Sequence, residues 1–154
     1  MPKKNQRIFI TGGTGFLGNN IVKTLLEKKF SINNLTNNTS NNNQYNNSLY
    51  NECTATDVIN GINENIVIHC ATSYGRNNES FEEIFEPNVN LPLRLLLQMI
   101  DSGKESFFIN IDTSLPSSTS TYALSKKIFL SMAKKIILGN SLENLKFINI
   151  SLEH

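Results

Sequence analysis

Runs of β-branched and aromatic residues recur along the chain: RIFIT at 7–11, SINNLT at 31–36, a weaker ECTA at 52–55, NIVIHCA at 65–71, SFFINI at 106–111 and KFINI at 146–150. Several are almost wholly apolar, as strands buried on both faces are. Between them the apolar spacing turns helical. Leu17, Ile21, Val22, Leu25 and Leu26 form one stripe. Pro87 and Asn88 open a second helix running to Ile100, stopped by DSG with Gly103 as its C-terminal cap. A third, from Tyr122 to Leu138, turns Phe129, Met132, Ala133, Ile136 and Ile137 inward, leaves lysines 126, 127, 134 and 135 largely elsewhere, and ends at GN. Strands alternating with helices predict an α/β fold: a doubly wound parallel sheet of six strands in the order 3-2-1-4-5-6.

Residues 33–51 interrupt this rhythm with a run of asparagines. Asparagine favours turns and competes with helical hydrogen bonds, so the stretch reads as a surface loop whose composition carries no function.

The segment TGGTGFLGNN at 11–20 holds four glycines directly after an apolar strand and before the first helical stripe. Gly13-Thr14-Gly15-Phe16-Leu17-Gly18 fits G-x-G-x-x-G, and Gly12, Gly15 and Gly18 fit the wider G-x-x-G-x-x-G spacing. In that context the first glycines turn the chain and bring backbone N–H groups to a pyrophosphate, and the last packs the helix against the strand. The helix then aims its free N–H groups and positive end at the phosphates. A phosphate-binding P-loop is disfavoured because Asn19 follows Gly18. The expectation is one Rossmann-like dinucleotide-binding domain spanning 1–154.

An acid at the end of the second strand would anchor the ribose of NAD. Leu35-Thr36-Asn37-Asn38 supplies neither acid nor arginine. The cofactor is therefore NADP or NAD, leaning to NADP, with Thr36, Asn37 or Ser40 as donors to a 2′-phosphate.

Tyr122 and Lys126 are four apart at the start of the third helix and share a face. A nearby ammonium lowers a phenol from its reference pKa of about 10 toward the working pH. Such a tyrosine exchanges a proton with a substrate oxygen while hydride moves.

Composition narrows the remaining classes. With 14 Lys and Arg against 13 Asp and Glu, the net charge of +1 argues against a nucleic-acid surface. No apolar run is long enough to span a bilayer, and MPKKNQ leads straight into a strand without a signal peptide. Cys53 and Cys70 form no CxxC and have no ligand cluster nearby, so they read as two buried, reduced thiols, with no metal site. A cytoplasmic protein is expected.

TGGTGFLG and YALSK resemble the extended short-chain dehydrogenase/reductase superfamily, which includes the NAD-dependent epimerases and dehydratases. VIHCATSYGRNNES (67–80), NVNLPLRLL (88–96), FFINIDTSLP (107–116) and YALSKKIF (122–129) resemble its CDP-abequose and CDP-paratose synthase branch. Those enzymes reduce the 4-keto group of a CDP-3,6-dideoxy sugar for bacterial O-antigen. The resemblance implies a catalytic set of Thr113, Tyr122 and Lys126, with Ser114 the alternative to Thr113 if the register slips by one. It also implies that Gly12, Gly15, Phe16, Leu17 and Gly18 line the cofactor, Asp57 and Val58 lie beside its adenine, and Ala71 and Thr72 run along the nicotinamide ribose. Asn88 resembles the asparagine opening the helix behind that site. Asp112 reads as a backbone-capping group rather than a general acid, and His69 as a packed or backbone-bonded residue.

Members of this group run to about twice the length, with a second domain that holds the nucleotide sugar. The chain stops at INISLEH, so most of that C-terminal substrate domain is expected to be missing; Leu152-Glu153-His154 matches either a native continuation or the start of a tag. Exposed core surface then favours association, and a homodimer is expected. Alternatives are an epimerase or dehydratase of the same superfamily and an inactive dinucleotide-binding fragment. A dehydratase would carry an acidic pair beside the catalytic threonine, where DTSL offers only Asp112.

Overall fold

The computed structural model describes residues 6–36, 45–140 and 142–153. Among these, the strands are β1 (Arg7–Thr11), β2 (Ser31–Leu35), β3 (Tyr50–Cys53), β4 (Ile66–His69), β5 (Ser106–Thr113) and β6 (Leu145–Leu152). They form one sheet in the order β3-β2-β1-β4-β5-β6, the doubly wound order expected. By internal contacts the chain divides into two units, Met1–Ala71 and Thr72–His154.

In the first unit β1 pairs in parallel with β2, Arg7 opposite Ser31 through Thr11 opposite Leu35, and with β4, Phe9 opposite Val67 through Thr11 opposite His69. Strand β2 pairs in parallel with β3 from Ile32 opposite Tyr50 to Leu35 opposite Cys53. Both ends of the asparagine-rich stretch therefore belong to strands rather than to a loop. Asn33, Asn34 and Leu35 lie in β2, and Tyr50 and Asn51 in β3. The third strand also ends earlier than ECTA suggested, because Thr54 and Asp57 cap the short helix α2 (Ala55–Ile59) instead. Helix α1 (Phe16–Glu27) buries Gly18, Val22 and Leu26, so the seam of the sequence stripe faces inward.

In the second unit β5 and β6 pair in parallel over their full length, Ser106 opposite Leu145 through Thr113 opposite Leu152. Phe108 stacks on Phe147 at 5.6 Å and meets Phe129 at 6.0 Å, forming an aromatic core. The middle helix starts earlier than Pro87. Ser80 and Glu83 form a capping box that opens α3 (Phe81–Phe85), and the chain continues through a wide π-type turn (Glu86–Asn90) into α4 (Leu91–Ser102). Proline has no N–H to give to the preceding turn, and Pro87 and Pro92 flank the place where the Leu91 N–H reaches five residues back to Glu86. That wide turn sinks Asn88 and Val89 into the interior. Gly103 closes α4 in the left-handed conformation, φ +64, as expected. Helix α5 (Thr121–Gly139) buries Phe129 and Ala133, but Met132 is exposed and Ile136 and Ile137 only half-buried; its inner face ends sooner than the apolar spacing suggests.

Among the described residues, no helix is long and apolar enough to cross a membrane.

Candidate active site

The glycine turn of the first unit is closed by its own backbone. Gly12 takes φ +71 and lies so close to β4 that a Cβ there would stand 2.6 Å from the Ala71 nitrogen. A Cβ on Gly13 would meet Asn34 Oδ1 at 2.5 Å, and one on Gly18 the Gly12 carbonyl oxygen at 2.1 Å. Gly15 differs: its nearest neighbour would be the Gly12 oxygen at 3.3 Å, and its side faces open space. Gly15 is the N-cap of α1, with no side chain capping the helix and no acid in its first turn. Four backbone N–H groups at a helix start need acceptors, and the positive end of the dipole favours an anion. The turn thus fits a dinucleotide pyrophosphate, with Gly15 and the start of α1 as the cradle. Phe16 is fully exposed beside it and Leu17 half-buried.

Two side chains that the sequence reading passed over hold this turn. Asn34, fully buried in β2, accepts the Gly13 N–H through Oδ1 at 3.0 Å and donates through Nδ2 to the Tyr50 hydroxyl at 3.0 Å. The Tyr45 hydroxyl lies 2.7 Å from Asn19 Oδ1 and 3.2 Å from the Gly13 carbonyl. Burial pushes the Tyr50 phenol up to about 12, so it stays a neutral partner. A signal for Asn34 was present: with Ile32 it sits on the inward alternate of a strand, where a polar residue requires a partner.

The other first-unit candidates are placed as follows. Thr36 follows β2 and gives its N–H to the Cys53 carbonyl at 3.1 Å; Asn37 and Ser40 lie outside the described residues, as does His154. Val58 is buried, while exposed Asp57 accepts the Thr54 N–H and hydroxyl through Oδ2, which holds its carboxyl below the usual range. Ala71 donates its N–H to Thr11 Oγ1 at 3.2 Å, and that hydroxyl lies 2.7 Å from His69 Nδ1. His69 is fully buried, a packed residue bonded to a side chain.

The second unit gathers the chemistry. Thr113 closes β5 and is fully buried; Tyr122 and Lys126 lie on successive turns of α5, and both are buried. The Thr113 side chain is hydrogen-bonded to Tyr122. Thr113 Oγ1 also accepts the Leu115 N–H at 3.2 Å. Ser114 is exposed and gives its backbone N–H to the Leu152 carbonyl at 3.0 Å.

The phenol is tuned in the opposite sense to the expectation. Burial is the largest influence and raises the Tyr122 pKa; the Tyr74 phenol and the Asp112 carboxylate add to this, while the Thr113 bond and Arg76 oppose it. Burial therefore outweighs the lowering by an ammonium that the spacing suggested. Tyr74 and Arg76 are further neighbours that the sequence reading did not single out. The Tyr74 ring lies 4.8 Å from that of Tyr122, tilted by 44°, and the Arg76 guanidinium sits 4.9 Å above Tyr74.

Asn88 braces this unit from the π-type turn. Its Oδ1 accepts from Thr72 Oγ1 at 2.8 Å and from the Ser73 N–H at 2.9 Å. Its Nδ2 donates to the Ser73 carbonyl and to Ser125 Oγ, both at 2.9 Å, and Ser125 Oγ donates to the Tyr122 carbonyl at 2.7 Å. Ser125 was also passed over, because a serine inside a helix carries no local sign of a distant partner. Asp112 is buried, and its Oδ1 accepts the Thr113 N–H at 2.7 Å as a backbone cap; its Oδ2 pairs with Lys127 at 3.1 Å.

Residues 8–143 match the family described as NAD dependent epimerase/dehydratase. The chain is 29 % identical over 164 residues to a CDP-abequose synthase of Salmonella muenchen, an alignment that takes in 97 % of this chain and 53 % of that protein. It therefore spans about half the length of that relative. Among solved structures it is similar to Gre2 of Candida albicans in complex with NADPH, with a TM-score of 0.76 and 16 % identity, over 96 % of this chain and 57 % of that one. It is also similar to the Bordetella bronchiseptica enzyme WbmH in complex with NAD+, with a TM-score of 0.73 and 18 % identity, over 97 % of this chain and 56 % of the other.

Proposed function

The chain belongs to the NAD dependent epimerase/dehydratase family, and on that premise we propose that the whole protein reduces the 4-keto group of a CDP-linked 3,6-dideoxy sugar destined for surface polysaccharide. The observation that carries the reading is Tyr122, a buried phenol hydrogen-bonded to Thr113 and kept protonated at neutral pH. A protonated phenol is the form that carbonyl reduction requires.

The glycine turn and the start of α1 would hold the pyrophosphate, and Lys126 the nicotinamide ribose. Strand β2 ends at Leu35, followed by Thr36, without a carboxylate to repel a 2′-phosphate, which favours NADPH. When bound, the reduced nicotinamide supplies hydride to the carbonyl carbon. Tyr122 gives its Oη proton to the carbonyl oxygen as charge develops there. Thr113 Oγ1 donates a hydrogen bond to the same oxygen and lowers the cost of that charge. Asn88 and Ser125 hold the first turn of α5, and with it the direction of the phenol.

Relatedness to the CDP-abequose synthase supports the choice of sugar. A dehydratase is disfavoured because the carboxylate beside Thr113, Asp112, is already engaged by Thr113, Lys127 and Asn149. The exposed apolar residues Leu124, Met132 and Leu138 of α5 support self-association as a homodimer, which light scattering would test.

The deciding assay supplies the whole protein with NADPH and CDP-4-keto-3,6-dideoxyglucose and follows absorbance at the nicotinamide band. Stoichiometric NADPH oxidation is expected. Epimerisation would leave the nicotinamide unchanged over the cycle, and an absence of net oxidation would exclude the reductase reading.

A further inference from the structure

Thr113 ends β5, whereas Tyr122 and Lys126 ride on α5, and the mostly exposed segment 114–120 runs between them. A loop of that kind does not hold a hydroxyl against a phenol to the fraction of an ångström that catalysis needs. We propose that Asp112 and Lys127 are positioning residues, an ion pair that grips the peptide groups on both sides of Thr113 and sets its hydroxyl against Tyr122. The proposal rests on the reading of Tyr122 as the proton donor.

The geometry is specific. Asp112 Oδ1 accepts the Thr113 N–H at 2.7 Å. Asp112 Oδ2 accepts from Lys127 Nζ and from Asn149 Nδ2, each at 3.1 Å. Lys127 Nζ also donates to the Thr113 carbonyl. The N–H and C=O of the same residue are thus held by opposite charges, one from β5 and one from α5. Asn149 of β6 fixes the carboxylate from the far side and is itself held by Asn110 Nδ2 at 2.7 Å. The Asp112 side chain is fully buried, while Lys127 remains about one-third exposed.

Such a pair adds little net stability, because removing a carboxylate from water offsets most of the attraction. Orientation is what a buried pair supplies well. Lys127 follows Lys126 directly and lies five residues after Tyr122. The helix that carries the phenol therefore carries the ammonium that holds its partner, and the two cannot drift apart without breaking the pair. The groups acting on the phenol include Tyr74 and Arg76 from the loop after β4 and Asp112 and Thr113 from β5.

The test uses the whole protein with tyrosine labelled at Cζ, the Tyr122 resonance being assigned by its loss in Tyr122→Phe. Lys127→Met should shift that resonance and speed amide exchange at Thr113 at least tenfold. It should lower kcat by about tenfold or more, on the scale expected for a misplaced catalytic group, with KM and NADPH affinity kept within twofold. Lys127→Arg, which restores the charge, should recover most of each change. Should Lys127→Met fail to fold around an unpaired carboxylate, Asp112→Ala with Lys127→Met removes both charges and the acceptor of the Thr113 N–H, and should fold with the same loosened Thr113. Unchanged Thr113 exchange and an unmoved Tyr122 resonance in either variant would overturn the proposal. So would a kcat loss that merely follows the folded fraction. The resonance and exchange measurements decide the matter even if no keto sugar is turned over, an outcome that would count against the reductase reading alone.

Discussion

Gly18 packs so closely on Gly12 that a Cβ added to it would stand 2.1 Å from the Gly12 carbonyl oxygen, while one on Gly15 would stand 3.3 Å from the same atom. The two glycines share one motif but answer to different constraints. Gly18→Ala forces backbone against backbone, so it should lower the melting temperature and weaken dinucleotide binding together. Gly15→Val presses on the Gly12 oxygen alone, which must give by a few tenths of an ångström, and otherwise fills the space a phosphate would take. It should keep the melting temperature within a few degrees and remove NADPH binding by calorimetric titration. Unchanged NADPH affinity in Gly15→Val would remove the turn from the cofactor site.

Tyr122→Phe should lower turnover of the whole protein by roughly 10² to 10⁴, the range of general-acid contributions, with NADPH affinity unchanged. In the wild type the rate of carbonyl reduction should stay level through neutral pH. It should fall only as pH rises through the phenol's raised value, because the acid is active in its protonated form. A rate already falling with a midpoint near neutrality would show that the lysine, not burial, governs this phenol.

Burial raises the Cys53 thiol from its ordinary 9.0 to about 12 and the Tyr50 phenol from 10.0 to about 12, with desolvation the largest cause in each case. Both groups keep protons in the folded state that the unfolded chain releases, so the native state binds more protons and stability falls as pH rises. The loss should begin near the ordinary thiol value and continue to about 12. Thermal unfolding followed by circular dichroism from pH 7 to 11 should show the decline, and Cys53→Ala should make it shallower. Only Cys53 is buried, whereas Cys70, expected to be buried too, is half-exposed just past the end of β4, so at pH 8 iodoacetamide should label Cys70 well before Cys53. Equal labelling of the two would contradict the burial of Cys53.

Asn88 uses both ends of its amide inside the second unit. Asn88→Ala leaves the Ser73 peptide groups and Ser125 without that partner, at a cost of about 1–3 kcal/mol for a buried polar group left unsatisfied. Denaturant unfolding should register the loss. Asn88→Asp keeps the acceptor contacts to Thr72 and Ser73 but loses the donors to the Ser73 carbonyl and Ser125, so turnover should fall more than it does in Ser125→Ala. Wild-type stability in Asn88→Ala would show that water replaces the amide at no cost.

The alternation of strands with helices and the glycine turn after β1 were legible in the chain because each is written in neighbours. An apolar run, glycines three apart and a helical step of four are patterns along the backbone, and local sterics turn them into structure without reference to anything distant. The capping box of Ser80 and Glu83 was just as local and equally readable; the prolines downstream drew the helix start away from it. Asn34 carried a sign in its alternation with Ile32, but not of its partner. It looked like one more member of an asparagine-rich run, and only the register of β2 beside β1 makes it the acceptor for Gly13.

Tertiary structure alone decided what those patterns do. Tyr122 was expected to have a lowered pKa from its spacing to Lys126, but that pKa depends on how much water the fold removes, and burial is a property of everything packed around it. The tie from Asn88 to Ser125 spans 37 positions in the chain, and that from Asp112 to Asn149 also spans 37. No spacing rule reaches that far. A side chain's partner across such a distance is chosen by which strand lies beside which and how each helix is rotated, and those emerge only when the whole core closes.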